Sequence, residues 1–193
     1  CWKLIAEGSE GFGAVFEDDL HFSLDSRYFM KDAEWLSKEV DIVKLETMLT
    51  KVKIEMKGVA AGSRRIHRLL SNHWGAGAYI LSRELARRLV KETRYFSDQP
   101  DVVLFRQPSA IRAYQLVPAI CIQDLYLRGG NSDGYLGSTL EAERIPLRHL
   151  PKPQGWAKVR REAGRPILRL GHAAWDMLQP LFGRKSIRIP MRW

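Results

Sequence analysis

The chain is expected to fold as an α/β sandwich with a loop segment and a basic, helical C-terminal region, on the strength of three observations. Short apolar runs of strand length alternate with helix-period patterns through residue 123. The run Phe12-Gly-Ala-Val-Phe16 leads straight into three carboxylates, Glu17, Asp18 and Asp19, and the C-terminal ends of strands are where open α/β sheets place their ligands. Positive charge is concentrated at one end: 12 of the 31 Lys and Arg fall in residues 144–193, against 2 of the 22 Asp and Glu.

Taken in order, residues 2–8 read as the last turns of a helix stopped by Gly8. Residues 12–16 read as a buried strand, residues 26–38 as a helix, and residues 40–45 as an alternating strand with Val40, Ile42 and Leu45 toward the inside. Residues 51–60 suit another strand or hairpin arm. After the small-residue loop Trp74–Ala78, Ser82 is an N-cap for a helix over 83–92 whose apolar face is Leu85, Ala86, Leu89 and Val90. Asp98-Gln-Pro-Asp101 opens a short helix, residues 111–122 are strand-like, and the Gly-, Ser-, Asn- and Pro-rich stretch 128–156 is loop. The expected division is a core over 1–125, a linker over 126–156 and a basic region over 157–193.

In that last region a helix is expected to begin after Pro166. Its apolar half-wheel carries Ile167, Leu170, Leu178, Leu181 and Phe182, with Arg169, His172, Asp176 and Gln179 on the other half. Arg160, Arg161, Arg165, Arg184, Lys185 and Arg188 flank it. The pattern suits a helix lying on an anionic membrane surface; it equally suits a helix packed on the core with solvated arginines. Nucleic acid is disfavoured as a partner, because the aromatics lie on the apolar stripe and are not interleaved with the basic residues as a stacking platform requires.

Composition narrows the remaining classes. The 193 residues are 45% hydrophobic and 27% charged, ordinary values for a globular domain. No apolar run is long enough to span a bilayer as a helix. The two cysteines, Cys1 and Cys121, have no zinc-ligand spacing, and their sparse use suits a reducing compartment. The expected location is therefore cytoplasmic, peripheral on a membrane surface.

Three adjacent carboxylates repel one another unless a cation or hydrogen-bond donors offset them. Oxygen ligands of this kind suit Mg²⁺ or Mn²⁺, which bind through one or two carboxylates plus substrate phosphates. In an extended backbone Glu17 and Asp19 point one way and Asp18 the other; His21 shares the first face. The alternative is a solvated acidic turn.

The ordered series Ala14-Val-Phe-Glu-Asp-Asp-Leu-His-Phe22, Asp41-Ile-Val-Lys-Leu-Glu46, Gly77-Ala-Tyr-Ile-Leu-Ser-Arg-Glu-Leu-Ala86, Pro100-Asp101 and Pro118-Ala-Ile-Cys-Ile-Gln123 resembles glycosyltransferase family 25, with a weaker continuation at Ser138–Glu141 and Arg144. The resemblance implies a GT-A-like (Rossmann-like) nucleotide-sugar sandwich and a UDP-sugar donor. It further implies inverting transfer of a hexose, typically galactose from UDP-galactose, to a glycan acceptor such as lipopolysaccharide core. It places Glu17, Asp18 and Asp19 in the metal and sugar-nucleotide site, with Asp19 and Glu17 as ligands of Mn²⁺ or Mg²⁺. Asp101 is the candidate base, or else a first-turn acid of its helix. Lys44, Glu46, Tyr79 and Gln123 are candidates for contact with donor or acceptor. Each also has an ordinary structural role: strand-end charge for Lys44 and Glu46, core aromatic for Tyr79, a loop contact for Gln123. The small residues Gly75 and Gly77 allow close backbone approach to a ligand.

The family's opening strand-turn-helix segment, with its Asn-Leu and Asp-Arg pattern, does not match here, and Cys1-Trp-Lys reads as mid-helix. The expectation is an N-terminally incomplete nucleotide pocket and an inactive fragment. Two other functions stay open at this point: a non-catalytic scaffold binding anionic surfaces through its basic end, and a Mg²⁺-dependent hydrolase using the acidic triplet.

Overall fold

The computed structural model describes residues 1–93, 95, 98–105, 110–127 and 178–193. Its frame is a six-stranded sheet formed by β1 (Phe12–Phe16), β8 (Ala78–Ser82), β3 (Ile42–Lys44), β9 (Ala113–Val117), β7 (Arg64–Arg68) and β6 (Val59–Ala61), in that spatial order. Only the β3–β9 pairing is parallel; β1–β8, β8–β3, β9–β7 and β7–β6 are antiparallel. The sheet is therefore mixed, which an α/β expectation accommodates but an all-parallel sheet does not.

The central strands are apolar on both faces, and this makes three layers. On β8, Tyr79 and Leu81 join one core cluster while Ala78 and Ile80 join the other; on β3, Ile42 and Val43 divide in the same way. The first face is covered by α1 (Trp2–Glu7), α3 (Arg83–Glu92) and α4 (Pro100–Phe105) through Ala6, Leu85, Ala86, Leu89 and Leu104. The second is covered by α2 (Ser26–Lys31) and the turns after it, through Phe29, Leu36 and Val40. Helix α3 begins where its cap predicts: the Ser82 hydroxyl accepts the Leu85 N–H at 3.1 Å.

Several elements differ from expectation. Helix α2 ends at Lys31, short of residue 38, because Asp32 turns extended and its Oδ1 accepts the Glu34 N–H, an Asx turn that competes with the helix. The 51–60 stretch divides into β5 (Lys51–Glu55) and β6, which belong to different sheets. The 111–122 run likewise breaks at Pro118, after which β10 (Cys121–Gln123) enters a three-stranded sheet with β2 (Leu20–Phe22) and β4 (Glu46–Thr47). A short α5 (Asp124–Leu127) follows.

The largest correction concerns the C-terminal region. The expected helix falls mostly on residues outside those described. Its last part, Gln179–Phe182, is a 3₁₀ turn, and β11 (Arg184–Arg188) pairs antiparallel with β5. Ile189 is buried in the core, its carbonyl accepts the Thr47 hydroxyl at 2.7 Å, and Ala119 N–H bonds the Pro190 carbonyl at 2.9 Å. Residues 184–193 thus pair with β5 and pack on the body. Strand β5 buries Val52 and Ile54 on one side, and β11 supplies the partner that its backbone needs.

Candidate active site

The acidic triplet sits where the chain leaves one sheet for the other. Strand β1 ends at Phe16, the Glu17 N–H bonds the Gly77 carbonyl at 2.7 Å, and β2 then pairs with β10 in the second sheet. Residues 18 and 19 form a turn, so the extended-strand alternation expected for Glu17, Asp18 and Asp19 does not apply. The Asp19 carbonyl accepts the Asp124 N–H at 2.9 Å, which ties the turn to α5. Glu17 and Asp18 are exposed and Asp19 is half-buried, with its Oδ1 shielded and lacking a hydrogen-bond partner. Gln123 Nε2 donates to Glu17 Oε2 at 2.5 Å. Burial first, and then the charges of Glu46 and Asp19, push the Glu17 carboxyl above its ordinary range, against the Gln123 bond and the Lys44 charge.

Beneath the turn lies a buried charged network. Lys44, at the end of β3, and Glu46, on β4, are completely buried, and Lys44 Nζ stands 3.1 Å from Glu46 Oε1. Lys44 also donates to the carbonyls of Trp74, at 2.6 Å, and Gly75, and lies 5.1 Å above the Phe105 ring. Glu46 Oε1 accepts the Gly77 N–H at 2.7 Å, and Asp101 Oδ2 accepts the Gly75 N–H at 3.1 Å. The two carboxylates and the ammonium therefore clamp the Trp74–Gly77 loop from both sides. Burial drives the Lys44 ammonium below its ordinary range, opposed chiefly by Glu46 and more weakly by Asp101.

Two glycines permit this arrangement. Gly75 has φ +81°, a conformation that favours glycine. A Cβ at Gly77 would lie 2.8 Å from Glu46 Oε2, 3.1 Å from Gln123 Nε2 and 3.2 Å from Glu17 Oε2. Three polar atoms from three strand ends thus converge on one glycine, which joins the exposed acidic turn to the buried pair.

The site-residue expectations divide accordingly. Glu17, Asp19, Lys44, Glu46, Gln123 and Asp101 are brought together, directly or through the glycine loop. The strand-end surface-charge reading of Lys44 and Glu46 is overturned, since neither is exposed. Tyr79 takes the core-aromatic alternative: it is 3% exposed, its hydroxyl accepts the Trp2 indole N–H at 2.9 Å, and it meets Phe105 edge-on. Asp101 is in the first turn of α4, where its Oδ1 accepts the Val102 N–H at 2.8 Å, and it also reaches the loop. His21 pairs with Asp124 at 2.7 Å. Among the described residues no three His, Cys, Asp or Glu side chains gather as a metal-binding group. The shielded, unpartnered Asp19 oxygen beside Glu17 fits a cation that takes few protein ligands.

His73 is a member of the network that sequence reasoning missed. It is buried, its Nδ1 donates to the Trp74 carbonyl at 2.7 Å, and burial, reinforced by the Lys44 charge, lowers its pKa to about 3. Below about pH 6.5 the unfolded chain takes up a proton here that the folded chain refuses, so this residue removes stability as pH falls. Between pH 6.5 and 5, above most carboxylate titration, the wild-type unfolding free energy from urea titrations is expected to fall with a slope approaching about 1.4 kcal/mol per pH unit from this group. His67, whose pKa burial also lowers, acts in the same direction. A His73→Gln protein should show a shallower fall, and parallel curves for the two proteins would refute a neutral, buried His73.

A mixed sheet with helices on its faces and a carboxylate turn at the end of one strand defines a protein of the α/β class. Residues 1–104 match the profile of glycosyltransferase family 25 (LPS biosynthesis protein), and the chain belongs to that family. It is 32% identical over 157 residues to the lacto-N-neotetraose biosynthesis glycosyltransferase LgtE of Neisseria meningitidis serogroup B, covering 74% of this chain and 56% of that protein. It is 35% identical over 157 residues to the lipooligosaccharide biosynthesis protein lex-1 of Haemophilus influenzae, covering 74% and 51%. With the glycosyltransferase LgtB of the same Neisseria strain it shares 31% identity over 160 residues, covering 75% and 58%. The chain thus spans just over half the length of these relatives.

Proposed function

We propose that the protein is a glycosyltransferase that moves a hexose, galactose from UDP-galactose, onto a lipooligosaccharide core acceptor at the cytoplasmic face of the inner membrane, inverting the anomeric carbon. Family membership and the relatives' roles in lipooligosaccharide and lacto-N-neotetraose biosynthesis support this. The observation that carries it is the convergence of the acidic turn, Gln123 and the Lys44–Glu46 pair on the Gly75–Gly77 loop, with Asp101 bonded to the same loop. In this reading the sandwich serves as a GT-A-like nucleotide-sugar fold.

Asp19 and Glu17 would hold Mn²⁺ or Mg²⁺, and a cation there supplies compensation for charge on the departing UDP. Asp18 and Gln123 face the donor from the turn and from the end of β10. The Glu17 carboxyl, raised first by burial and then by its neighbours' charge, would return toward the ionised form with a cation beside it. Asp101 accepts the proton of the attacking acceptor hydroxyl as the new bond forms to C1 and the C1–O bond to UDP breaks. The Gly75 N–H holds one of its oxygens, and Lys44 holds Gly75. Lys44 and Glu46, both inaccessible, position the loop from below.

UDP release from a panel of UDP-sugars, with and without Mn²⁺ and with a core oligosaccharide as acceptor, tests the reading. Release that depends on metal and is confined to UDP-galactose, with a β-linked product, is expected; folded protein that releases UDP from no donor would sink it. Asp101→Asn is expected to lower kcat about a hundredfold or more with little change in donor KM. Near-normal turnover in that variant would remove Asp101 from the proton transfer.

A further inference from the structure

The turn that precedes β11 has its polarity inside out. On the wheel of the expected α-helix Leu178, Leu181 and Phe182 share the apolar half and Gln179 lies on the polar half, whereas residues 179–182 form a 3₁₀ turn. Packing against the body would bury the first three and expose the fourth. The structure has the reverse: Leu181 is 79% exposed and Phe182 63%, whereas Gln179 is 1% exposed and its Oε1 accepts the Ser186 hydroxyl at 3.3 Å. The Met56 N–H bonds the Gly183 carbonyl at 2.8 Å, which brings a further exposed apolar side chain beside the turn.

The strands that run from this tip are basic. Register pairs Arg184 with Glu55, Ser186 with Lys53 and Arg188 with Lys51, so these six side chains share one face of the two-stranded ribbon. Four are cationic and one is anionic, and Lys51, Arg184 and Arg188 are exposed. An aliphatic and aromatic tip flanked by cations matches the boundary between acyl chains and anionic headgroups, where apolar side chains enter and Lys and Arg stay at the phosphates. A nucleic acid would use the cations and gain little from an exposed leucine.

We propose that the 178–183 turn and the β5–β11 ribbon form a membrane-docking surface for a leaflet bearing anionic headgroups. Leu181 and Phe182 enter the interface, and Lys51, Arg184 and Arg188 lie against the lipid phosphates. The surface is built from a strand ribbon fixed to the catalytic body, so docking holds the body at a set orientation to the leaflet. The inference does not depend on the transfer chemistry, because binding is read without donor or acceptor.

The test is co-sedimentation of the protein with vesicles of phosphatidylglycerol mixed into phosphatidylcholine, and with phosphatidylcholine alone. Binding to the anionic vesicles that weakens as salt is raised is expected. The pair Leu181→Ser with Phe182→Ser, and separately the pair Arg184→Gln with Arg188→Gln, should each weaken it roughly tenfold or more, with circular dichroism and the urea midpoint near wild type. Absence of anionic-vesicle binding by folded wild-type protein would overturn the proposal. So would full binding by the Leu181/Phe182 variant, since that would reduce the surface to a polyanion site such as a nucleic acid would use.

Discussion

Replacing Lys44 with methionine is expected to destabilise the fold by about 3–5 kcal/mol, because it leaves the Glu46 carboxylate buried without its opposite charge. Both side chains are inaccessible to water, and the ammonium also supplies the donors for the Trp74 and Gly75 carbonyls. Three interactions are therefore lost at once, and although His73 still serves the Trp74 carbonyl and the Gly77 N–H still serves Glu46, no cation offsets the buried carboxylate. Methionine is close to lysine in volume, so the effect reads charge and hydrogen bonding more than a cavity. The measurement is the urea midpoint at constant m, for Lys44→Met, Glu46→Gln and the double variant. Recovery of part of the loss in the double variant is expected, since it removes both charges together. A single Lys44→Met protein within about 1 kcal/mol of wild type, in the range of exposed pairs, would show that the pair does not anchor the loop.

The second large effect is functional. Asp19→Asn is expected to reduce metal-dependent UDP release about a hundredfold to a thousandfold, the equivalent of the several kcal/mol that a bound cation contributes to charge stabilisation. Stability should change little, because the shielded Asp19 oxygen makes no hydrogen bond that the amide would lose, and the tie to Asp124 uses the backbone carbonyl. The variant thus separates site from scaffold in a way that Lys44→Met cannot. Its readouts are turnover across a Mn²⁺ titration and the thermal midpoint. Turnover within tenfold of wild type at saturating metal would place the cation elsewhere or remove it from the reaction.

Elements with a strong local signal were legible from the residues. Helix α3 was marked by a serine cap and four apolar residues on one face, and it runs over the expected span. The position of strand β1 was marked by an apolar run meeting carboxylates, but it is an edge strand with Ala14 and Phe16 exposed and not the buried strand expected, and the carboxylates turn where an extended backbone was expected. Strand β7 was not legible: Arg64-Arg-Ile-His-Arg68 offers one aliphatic residue in five and no period-two pattern. Its burial depends on partners far away in sequence. Arg64 is 3% exposed because Asp25, the Pro118 and Ala119 carbonyls and the Arg192 carbonyl surround its guanidinium. Charged residues enter a core only when such partners are supplied, and no window of sequence contains them.

The same reason divides the site. The chain by itself determined which chemistry is available: three adjacent carboxylates, a lysine and a glutamate two residues apart, small residues in one loop, and the ordered segments that mark the family. Tertiary structure alone decided that Lys44 and Glu46 lie under the glycine loop and not on the surface. It alone brought Asp101 to Gly75 across 26 residues and Gln123 to Glu17 across 106, and it turned Tyr79 into the core. It also decided that Arg184–Arg188, basic in sequence and read as the flank of a separate helix, would close the open edge of β5. Local pattern reports which side chains are present and what backbone they favour, whereas the environment of a charge is set by whichever distant strands pack around it.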